Sequence, residues 1–357
     1  MTDYVSQKGI TKEQSTQLQG LAVLLMIYHH FFNDLTIYGD ALRFWKPDWI
    51  ITFAWFGKIC VGIFAFVSGY GMQRVLERRK EPGAFSCLRQ VMRLLVRYWI
   101  VFLPFMGLFF VMGKRSFEPR EFVENFFCLR STYNGAFWYV QEYVIFMALA
   151  LLLAGWLRLN KKHRYLCAGI FGAVGVAVLL LGTGSLAGAM EGLKAALDLI
   201  RIAFVLVFFA GWLTARFRIF EKAFSLLPEG KICVRKLTGI GVTMAVAAGR
   251  MILSDSAAYA KLDFLLVPVF VAGVLLCLEG VKPLQGLLYA MGRMSAWLWL
   301  THLFIFDLTK DRILSFTDSH LVFFVIELFF CILAALVFGG GELGIDRIRK
   351  MKKAERK

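Results

Sequence analysis

The sequence predicts an all-α, polytopic integral membrane protein with about ten transmembrane helices. Hydrophobic residues make up 59% of the 357 residues and charged residues 18%, whereas soluble domains average about 45–50% and about 25%. The apolar residues are grouped into runs of about 20, the length that a helix needs to cross a bilayer. Because a lone strand cannot satisfy its backbone groups in lipid, these runs are expected to be helices.

Short polar segments with turn residues, such as 80–83 and 227–230, separate ten candidate spans. None of these segments is long enough for a soluble domain. Residues 1–340 are therefore expected to form a single ten-helix membrane domain, followed by a basic cytoplasmic tail at 341–357. The candidate spans are 18–36, 51–72, 94–113, 136–157, 165–183, 198–215, 237–254, 262–280, 294–309 and 321–340.

Lys and Arg residues indicate the orientation. If the N-terminus is cytoplasmic, the segments on that side hold more than twice as many Lys and Arg residues as the opposite loops. Such an excess marks the cytoplasmic side, so the N- and C-termini are both predicted to be cytoplasmic. The formal net charge of +16 is then mainly a topology signal. The lipid bilayer is the expected partner of these cations, and no motif suggests a nucleic-acid partner.

The cysteines and the N-terminus exclude other classes. The seven cysteines are scattered singly without a Cys-x-x-Cys pair, so neither a zinc site nor a disulfide framework is predicted. We expect no bound metal and no bound cofactor. The first 17 residues are polar, so no cleavable signal peptide is expected.

The first span is the most informative stretch, because it places two adjacent histidines, His29 and His30, at membrane depth. Ionisable groups are costly in hydrocarbon, and by default they suggest a functional site. Asn33 and Asp34 follow His30 at i+3 and i+4 and can orient an imidazole by hydrogen bonding. A neutral imidazole held in this way suits general-base catalysis on an alcohol. The alternative is that both histidines only make structural hydrogen bonds between helices.

The second span ends in the run Phe-Val-Ser-Gly-Tyr-Gly, which contains Ser68, Gly69 and Tyr70. Glycines in such a run permit the close approach of a ligand or of a second helix. Helix packing is the commoner explanation, so this motif by itself indicates function only weakly.

A basic strip follows, consisting of Arg89, Arg93 and Arg97. These residues recur every four positions and would line one face of the helix that leads into the third span. Arginine pairs bidentately with phosphate, which suggests a cytoplasmic anion site. A solvated face, or one that binds lipid phosphates, is an equal alternative.

Two later spans also carry polar residues at membrane depth. Ser295 and His302 of the ninth span are seven residues apart and share a helix face. Trp138 and Glu142 of the fourth span are related as i and i+4, and Glu142 is a lone acid. Each of these residues lines a pocket or, alternatively, pairs structurally with a neighbouring helix.

The order of these motifs resembles acyltransferase family 3, the membrane-bound O-acetyltransferases of bacterial surface polysaccharides. The first span of that family has a basic residue eleven positions before a histidine, and Gln19 and His30 keep this spacing with glutamine in the basic position. The Ser68 motif, the basic strip, an aromatic motif at Trp138 and the segment 292–302 follow in the order typical of the family.

The resemblance implies transfer of an acyl group, with acetyl-CoA as co-substrate, to a hydroxyl of a cell-surface or lipid-linked glycan at the bacterial plasma membrane. It implies that His30, or its neighbour His29, is the general base or a relay for the acyl group. The implied donor-binding residues are Arg89, Arg93, Arg97, Ser68, Gly69, Tyr70 and Gln19. The implied pocket residues are Asn33, Asp34, Trp138, Glu142, Ser295 and His302.

Two other classes of protein stay open at this point. A transporter of a glycan, lipid or small solute would use the same buried polar groups, and inverted repeats with interrupted helices would favour it. No such repeat is evident in the sequence. A non-catalytic membrane relative is the other alternative, and the uncharged Gln19 is the main argument for it.

Overall fold

The computed structural model describes residues 9–78, 84–158, 199–228, 230–252 and 262–354, and their regular structure is helical, as predicted. Short 3₁₀ turns lie at Thr36–Tyr38 and Gly135–Phe137. The α-helices are α1 (Lys12–Phe32), α2 (Pro47–Gly57), α3 (Ile59–Arg78), α4 (Ala84–Val111), α5 (Pro119–Phe126), α6 (Trp138–Arg158), α7 (Leu199–Arg216), α8 (Ile219–Ser225), α9 (Ile232–Ile252), α10 (Asp263–Leu278), α11 (Lys282–Leu314) and α12 (His320–Ala354).

Five helical segments of the described residues are long and apolar enough to cross a membrane. A bent pair, α7 with α8, turns by 61° and makes a sixth span if the pair crosses as one. These segments match the predicted spans two, three, four, six, seven and ten, which confirms a helical membrane protein. The five segments are Pro47–Glu77, Cys87–Val111, Gly135–Leu152, Ile232–Ile252 and His320–Glu342.

The remaining predicted spans have different outcomes. Span one overlaps α1, which ends at Phe32, and span nine lies within α11. The polar residues of both helices keep them out of the set of apolar spans. Span eight corresponds to the short apolar helix α10. Span five, at 165–183, lies outside the described residues, as does the turn at 80–83. The number ten stays a prediction.

The chain divides into two compact units. The first unit comprises Met1–Thr11, Val61–Val91 and Glu142–Gly280. Within it, α3 and α7 cross at two glycines. A Cβ on Gly69 would lie 1.9 Å from the carbonyl oxygen of Phe208, and one on Gly211 would lie 2.1 Å from that of Phe66. Only glycine permits the two backbones to approach this closely.

Ion pairs join α9 to α10 in the first unit. Arg250 and Asp263 form two hydrogen bonds of 2.9 and 3.0 Å, and their side chains are 1% and 0% exposed. Arg235 reaches Glu279 at 2.8 Å, where α10 ends. Charges at such depth need partners, because an unpaired charge in a low-dielectric interior is costly.

The second unit comprises Lys12–Cys60, Met92–Gln141 and Val281–Lys357. Its central feature is the parallel packing of α1 along α11. A Cβ on Gly20 would lie 1.9 Å from the carbonyl oxygen of Leu288, and one on Gly292 would lie 1.8 Å from that of Thr16. The two backbones are therefore in direct contact, and this contact sets which residues of α1 and α11 meet further along.

Candidate active site

Two imidazoles meet ten residues beyond the contact of α1 with α11 at Gly20 and Gly292, about 15 Å further along each helix. His30 of α1 lies ten residues after Gly20, and His302 of α11 lies ten residues after Gly292. Their ring centroids are 5.1 Å apart. The sequence indicated both histidines separately, but the equal spacing from the two glycines predicts the meeting only if the helices are parallel and in register.

His29 and His30 have different surroundings, because adjacent residues of a helix diverge by about 100°. His29 is 6% exposed, and its Nδ1 donates a hydrogen bond of 2.8 Å to the carbonyl oxygen of Ala54 in α2. Its ring also lies edge-on to Trp55, with centroids 5.5 Å apart. His30 is half-buried and faces His302 instead. His29 thus joins α1 to α2, while His30 faces α11.

His302 has its tautomer set by its own helix. Its side chain is 0% exposed, and Nδ1 lies 2.7 Å from the carbonyl oxygen of Trp299. Since a carbonyl oxygen can only accept, Nδ1 carries the proton, and Nε2 of the neutral ring has a free lone pair. Nε2 is buried and has no hydrogen-bond partner within the described ranges.

Trp299 is itself held in place from two directions. Its indole Nε1 donates to the carbonyl oxygen of Ala136, at 3.1 Å, in the turn that precedes α6. Tyr139, in the first turn of α6, packs edge-on against the indole with centroids 5.6 Å apart. The carbonyl that orients His302 therefore belongs to a residue with a well-defined position, which the sequence did not indicate.

Asp34 does not occupy the position expected from i, i+4 spacing, because α1 ends at Phe32. Its carboxylate is exposed and accepts from the hydroxyl and the amide of Thr36, at 2.6 and 3.0 Å. The hydroxyl bond is the main reason that the pKa of Asp34 is held below its ordinary value. Asn33 also follows the helix end, and its backbone N–H donates to the backbone carbonyl oxygen of His29 at 2.9 Å.

The basic strip divides between different environments. Arg97 forms a bidentate pair with Glu342 of α12, in which Nε and one Nη donate to the two carboxylate oxygens at 2.9 and 2.5 Å, and it lies 5.8 Å from the Trp297 ring centroid. Arg93 is exposed one turn earlier, and Arg89 is exposed in the first unit. Sequence reasoning missed Glu342, because it lies in the predicted cytoplasmic tail.

Two of the predicted site residues of the first unit have structural contacts there. Gly69 is the glycine of the α3–α7 crossing. The hydroxyl of Tyr70 accepts from the backbone amide of Ile10 at 2.9 Å. Ser68 is half-buried on α3, and Glu142 is fully buried in α6. Packing therefore accounts for Gly69 and Tyr70 without a ligand.

Three predicted residues of the second unit lie on the helices that carry the imidazoles or next to them. Gln19 is half-buried, one residue before Gly20. Ser295 is buried on α11, two turns before His302. Trp138 is half-buried at the first position of α6. Among the described residues, no group of three or more His, Cys, Asp or Glu side chains is placed to hold a metal ion.

The fold and the site together define a helical membrane protein in which two imidazoles from separate helices are brought together. A family model with the description "Acyltransferase domain" matches residues 15–339, from the start of α1 into α12. The chain belongs to acyltransferase family 3, which confirms the resemblance seen in the motifs. No curated protein and no solved structure matches the chain.

Proposed function

We propose that the chain transfers an acetyl group from cytoplasmic acetyl-CoA to a hydroxyl of a cell-surface or lipid-linked glycan, in the plasma membrane of a bacterium. Membership of the acyltransferase family supports the group-transfer chemistry. The observation that carries the assignment of the site is the contact of His30 with His302 at 5.1 Å. Paired imidazoles at depth, on two parallel helices, are suited to acid–base catalysis.

His30 acts as the general base in this proposal. It takes the proton of the acceptor hydroxyl while that oxygen attacks the thioester carbonyl carbon. The new C–O ester bond forms, the C–S bond breaks, and the CoA thiolate leaves and takes the proton from the His30 imidazolium. The same nitrogen thus serves first as base and then as acid, so no further co-reactant is needed.

Arg93 is the best-placed member of the basic strip for the donor phosphates. Its side chain is exposed at the start of the second-unit part of α4, and arginine binds phosphate bidentately. Arg97 already donates from Nε and one Nη to the carboxylate of Glu342, which neutralises its charge. We assign Arg93 and Arg89 to direct contact with the phosphates of acetyl-CoA. Arg97 is assigned to hold the neighbouring helices in place around that site.

We further propose ten spans with both termini in the cytoplasm. The parallel packing of α1 and α11 supports this arrangement, because spans one and nine must cross in the same direction if each intervening span reverses the chain. His30 then lies about 16 Å beyond Gln19 along α1, past the middle of the bilayer. The acyl group therefore has to cross part of the membrane to reach the acceptor.

The test compares His30→Ala with His29→Asn in purified protein in liposomes, with labelled acetyl-CoA inside and a glycan acceptor outside. His30→Ala is expected to lose about 100-fold or more in the rate of glycan acetylation. His29→Asn is the matched control, because the asparagine amide can replace Nδ1 as donor to Ala54. We expect it to keep most of the activity.

Full glycan acetylation by His30→Ala would exclude His30 as the base. A wild-type protein that moves a labelled glycan across the liposome membrane without acetylating it would favour the transporter. Wild-type protein that does neither with a panel of acceptors would favour a non-catalytic relative, for which Gln19 in the basic position is the first candidate cause.

A further inference from the structure

We propose that His302 is a positioning residue whose Nε2 accepts a hydrogen bond from a ring N–H of His30. This bond would select one tautomer of His30 and leave the other ring nitrogen unprotonated towards the acceptor hydroxyl. The inference rests on the proposed role of His30 as general base. It adds a second member to the site, in the way that a base in many enzymes is oriented by a third group.

The tautomer of His302 is the first reason. Nδ1 donates to the Trp299 carbonyl at 2.7 Å, so the neutral ring can only accept at Nε2. A lone pair on a fully buried ring that lacks a partner is costly, because desolvation of the atom is not offset. The neighbouring group that can supply a proton is the imidazole of His30.

The distance between the rings is the second reason. A centroid separation of 5.1 Å with the planes inclined by 44° lets one nitrogen of each ring come within hydrogen-bonding distance after a small rotation about a side-chain bond. His29 lies at the same centroid distance from His30, and its ring, with Nδ1 bound to Ala54, can also accept at Nε2. Among the described residues, however, it is Nε2 of His302 that is buried without a partner, so a hydrogen bond from His30 offsets the larger desolvation cost at His302.

The register of the helices is the third reason. Gly20 and Gly292 bring the backbones of α1 and α11 into contact ten residues before the histidines. Trp299, which supplies the carbonyl for His302, is anchored to Ala136. Each component of the chain from Ala136 through Trp299 and His302 to His30 is thus positioned by a separate contact.

The arrangement also stabilises the charge that develops during catalysis. When His30 takes the proton of the acceptor hydroxyl, it becomes an imidazolium, and its hydrogen bond to Nε2 of His302 becomes charge-assisted. No proton moves to His302 in this step. The proton stays on His30 until it is transferred to the leaving thiolate.

Two substitutions of His302 separate the functions of its two nitrogens. In His302→Gln the amide oxygen can reach the position of Nε2 and accept from His30. In His302→Asn the shorter amide can only replace Nδ1 and donate to Trp299. A matched control is Thr301→Val, which removes an equally buried side-chain hydrogen bond, that of Oγ1 to the Trp297 carbonyl at 2.8 Å.

We expect His302→Gln to stay within about tenfold of the wild-type kcat and His302→Asn to lose about 100-fold, with the KM of the acceptor nearly unchanged in both. Thr301→Val is expected to be close to wild type. If the Gln and Asn variants have equal activity, whether high or low, the positioning role is overturned.

Nitrogen-15 spectra of the imidazoles test the hydrogen bond without any acyl transfer. The chain has five histidines, so signals can be assigned with single substitutions such as His30→Ala. We expect His302 to carry its proton on Nδ1, and His30 to be a single tautomer in wild type and in His302→Gln but a mixture in His302→Asn.

The spectra and the kinetics can each contradict a different claim, the positioning role of His302 or the proposed function. An Nε2–H tautomer of His302 would overturn the positioning role even in an active enzyme. Spectra as expected from a protein that acetylates no acceptor would keep the hydrogen bond between the histidines and overturn the proposed function instead.

Discussion

Gly20 of α1 and Gly292 of α11 each face the backbone of the other helix, and together they determine the register in which the helices pack. The nearest carbonyl oxygens, those of Leu288 and Thr16, would lie 1.9 and 1.8 Å from added Cβ atoms. A real Cβ cannot be accommodated at such distances, so the helices would have to separate. The imidazoles of His30 and His302 depend on this register, although they lie about three turns away.

Gly292→Ala is therefore expected to destabilise the protein by about 1–3 kcal/mol, the usual cost of forcing extra atoms into a packed contact. It should also lower the rate of acyl transfer, because the imidazoles would move apart. Thermal unfolding in detergent and the transfer assay measure the two effects. Gly286→Ala is the control on the same helix, since a Cβ there meets nothing within 4 Å.

Arg93→Ala is expected to raise the KM for acetyl-CoA about tenfold or more with little change in kcat, because a lost phosphate contact weakens binding of the donor. Arg97→Ala should instead lower stability, by about 1 kcal/mol, because it leaves Glu342 without its bidentate partner. Steady-state kinetics and unfolding curves distinguish them. A KM effect confined to Arg97 would reverse the assignment.

Asp34→Ala is expected to leave acyl transfer close to that of the wild type, because the carboxylate binds Thr36 instead of an imidazole. The depressed pKa of Asp34 has a consequence for pH. The carboxylate contributes stability above its unfolded pKa, and that contribution is lost as the pH falls through the folded value. Unfolding of wild type and variant at a series of acidic pH values checks this, and a large loss of activity at neutral pH would contradict it.

Arg250→Leu is expected to destabilise the first unit by about 3–5 kcal/mol, because it removes the guanidinium that binds the buried carboxylate of Asp263. The double variant Arg250→Leu with Asp263→Leu should be more stable than the single one, since both charges of the buried pair are then removed together. Unfolding of both proteins in detergent measures the difference. A double variant that is less stable than the single one would contradict the assigned cost of the carboxylate that has lost Arg250.

Much of the helical architecture was predictable from hydropathy, because a spanning helix needs a run of apolar residues that can be read directly. The predicted boundary of span one was less accurate, since α1 ends at Phe32 and not after Asp34. The carboxylate of Asp34 binds its own backbone two residues on, a local interaction that competes with helix continuation. The i, i+4 relation to His30 therefore does not hold.

The order of the motifs was sufficient to assign the chain to acyltransferase family 3, because spacing within a helix and order along the chain are properties of the sequence. The same motifs did not reveal which of their residues are structural. Gly69 proved to be a packing glycine, and Arg97 proved to be engaged by a glutamate 245 positions away in the chain. Such pairings depend on which helices are neighbours.

The sequence by itself determined that this is a helical membrane protein of the acyltransferase family, and it singled out the histidines of two separate helices. Only the tertiary structure decided that His30 faces His302 while His29 faces α2. The physical reason is that the direction of each side chain follows from the helix period, but its partner follows from the packing register. In this protein the register is determined by the contact of Gly20 and Gly292 with the opposite backbones.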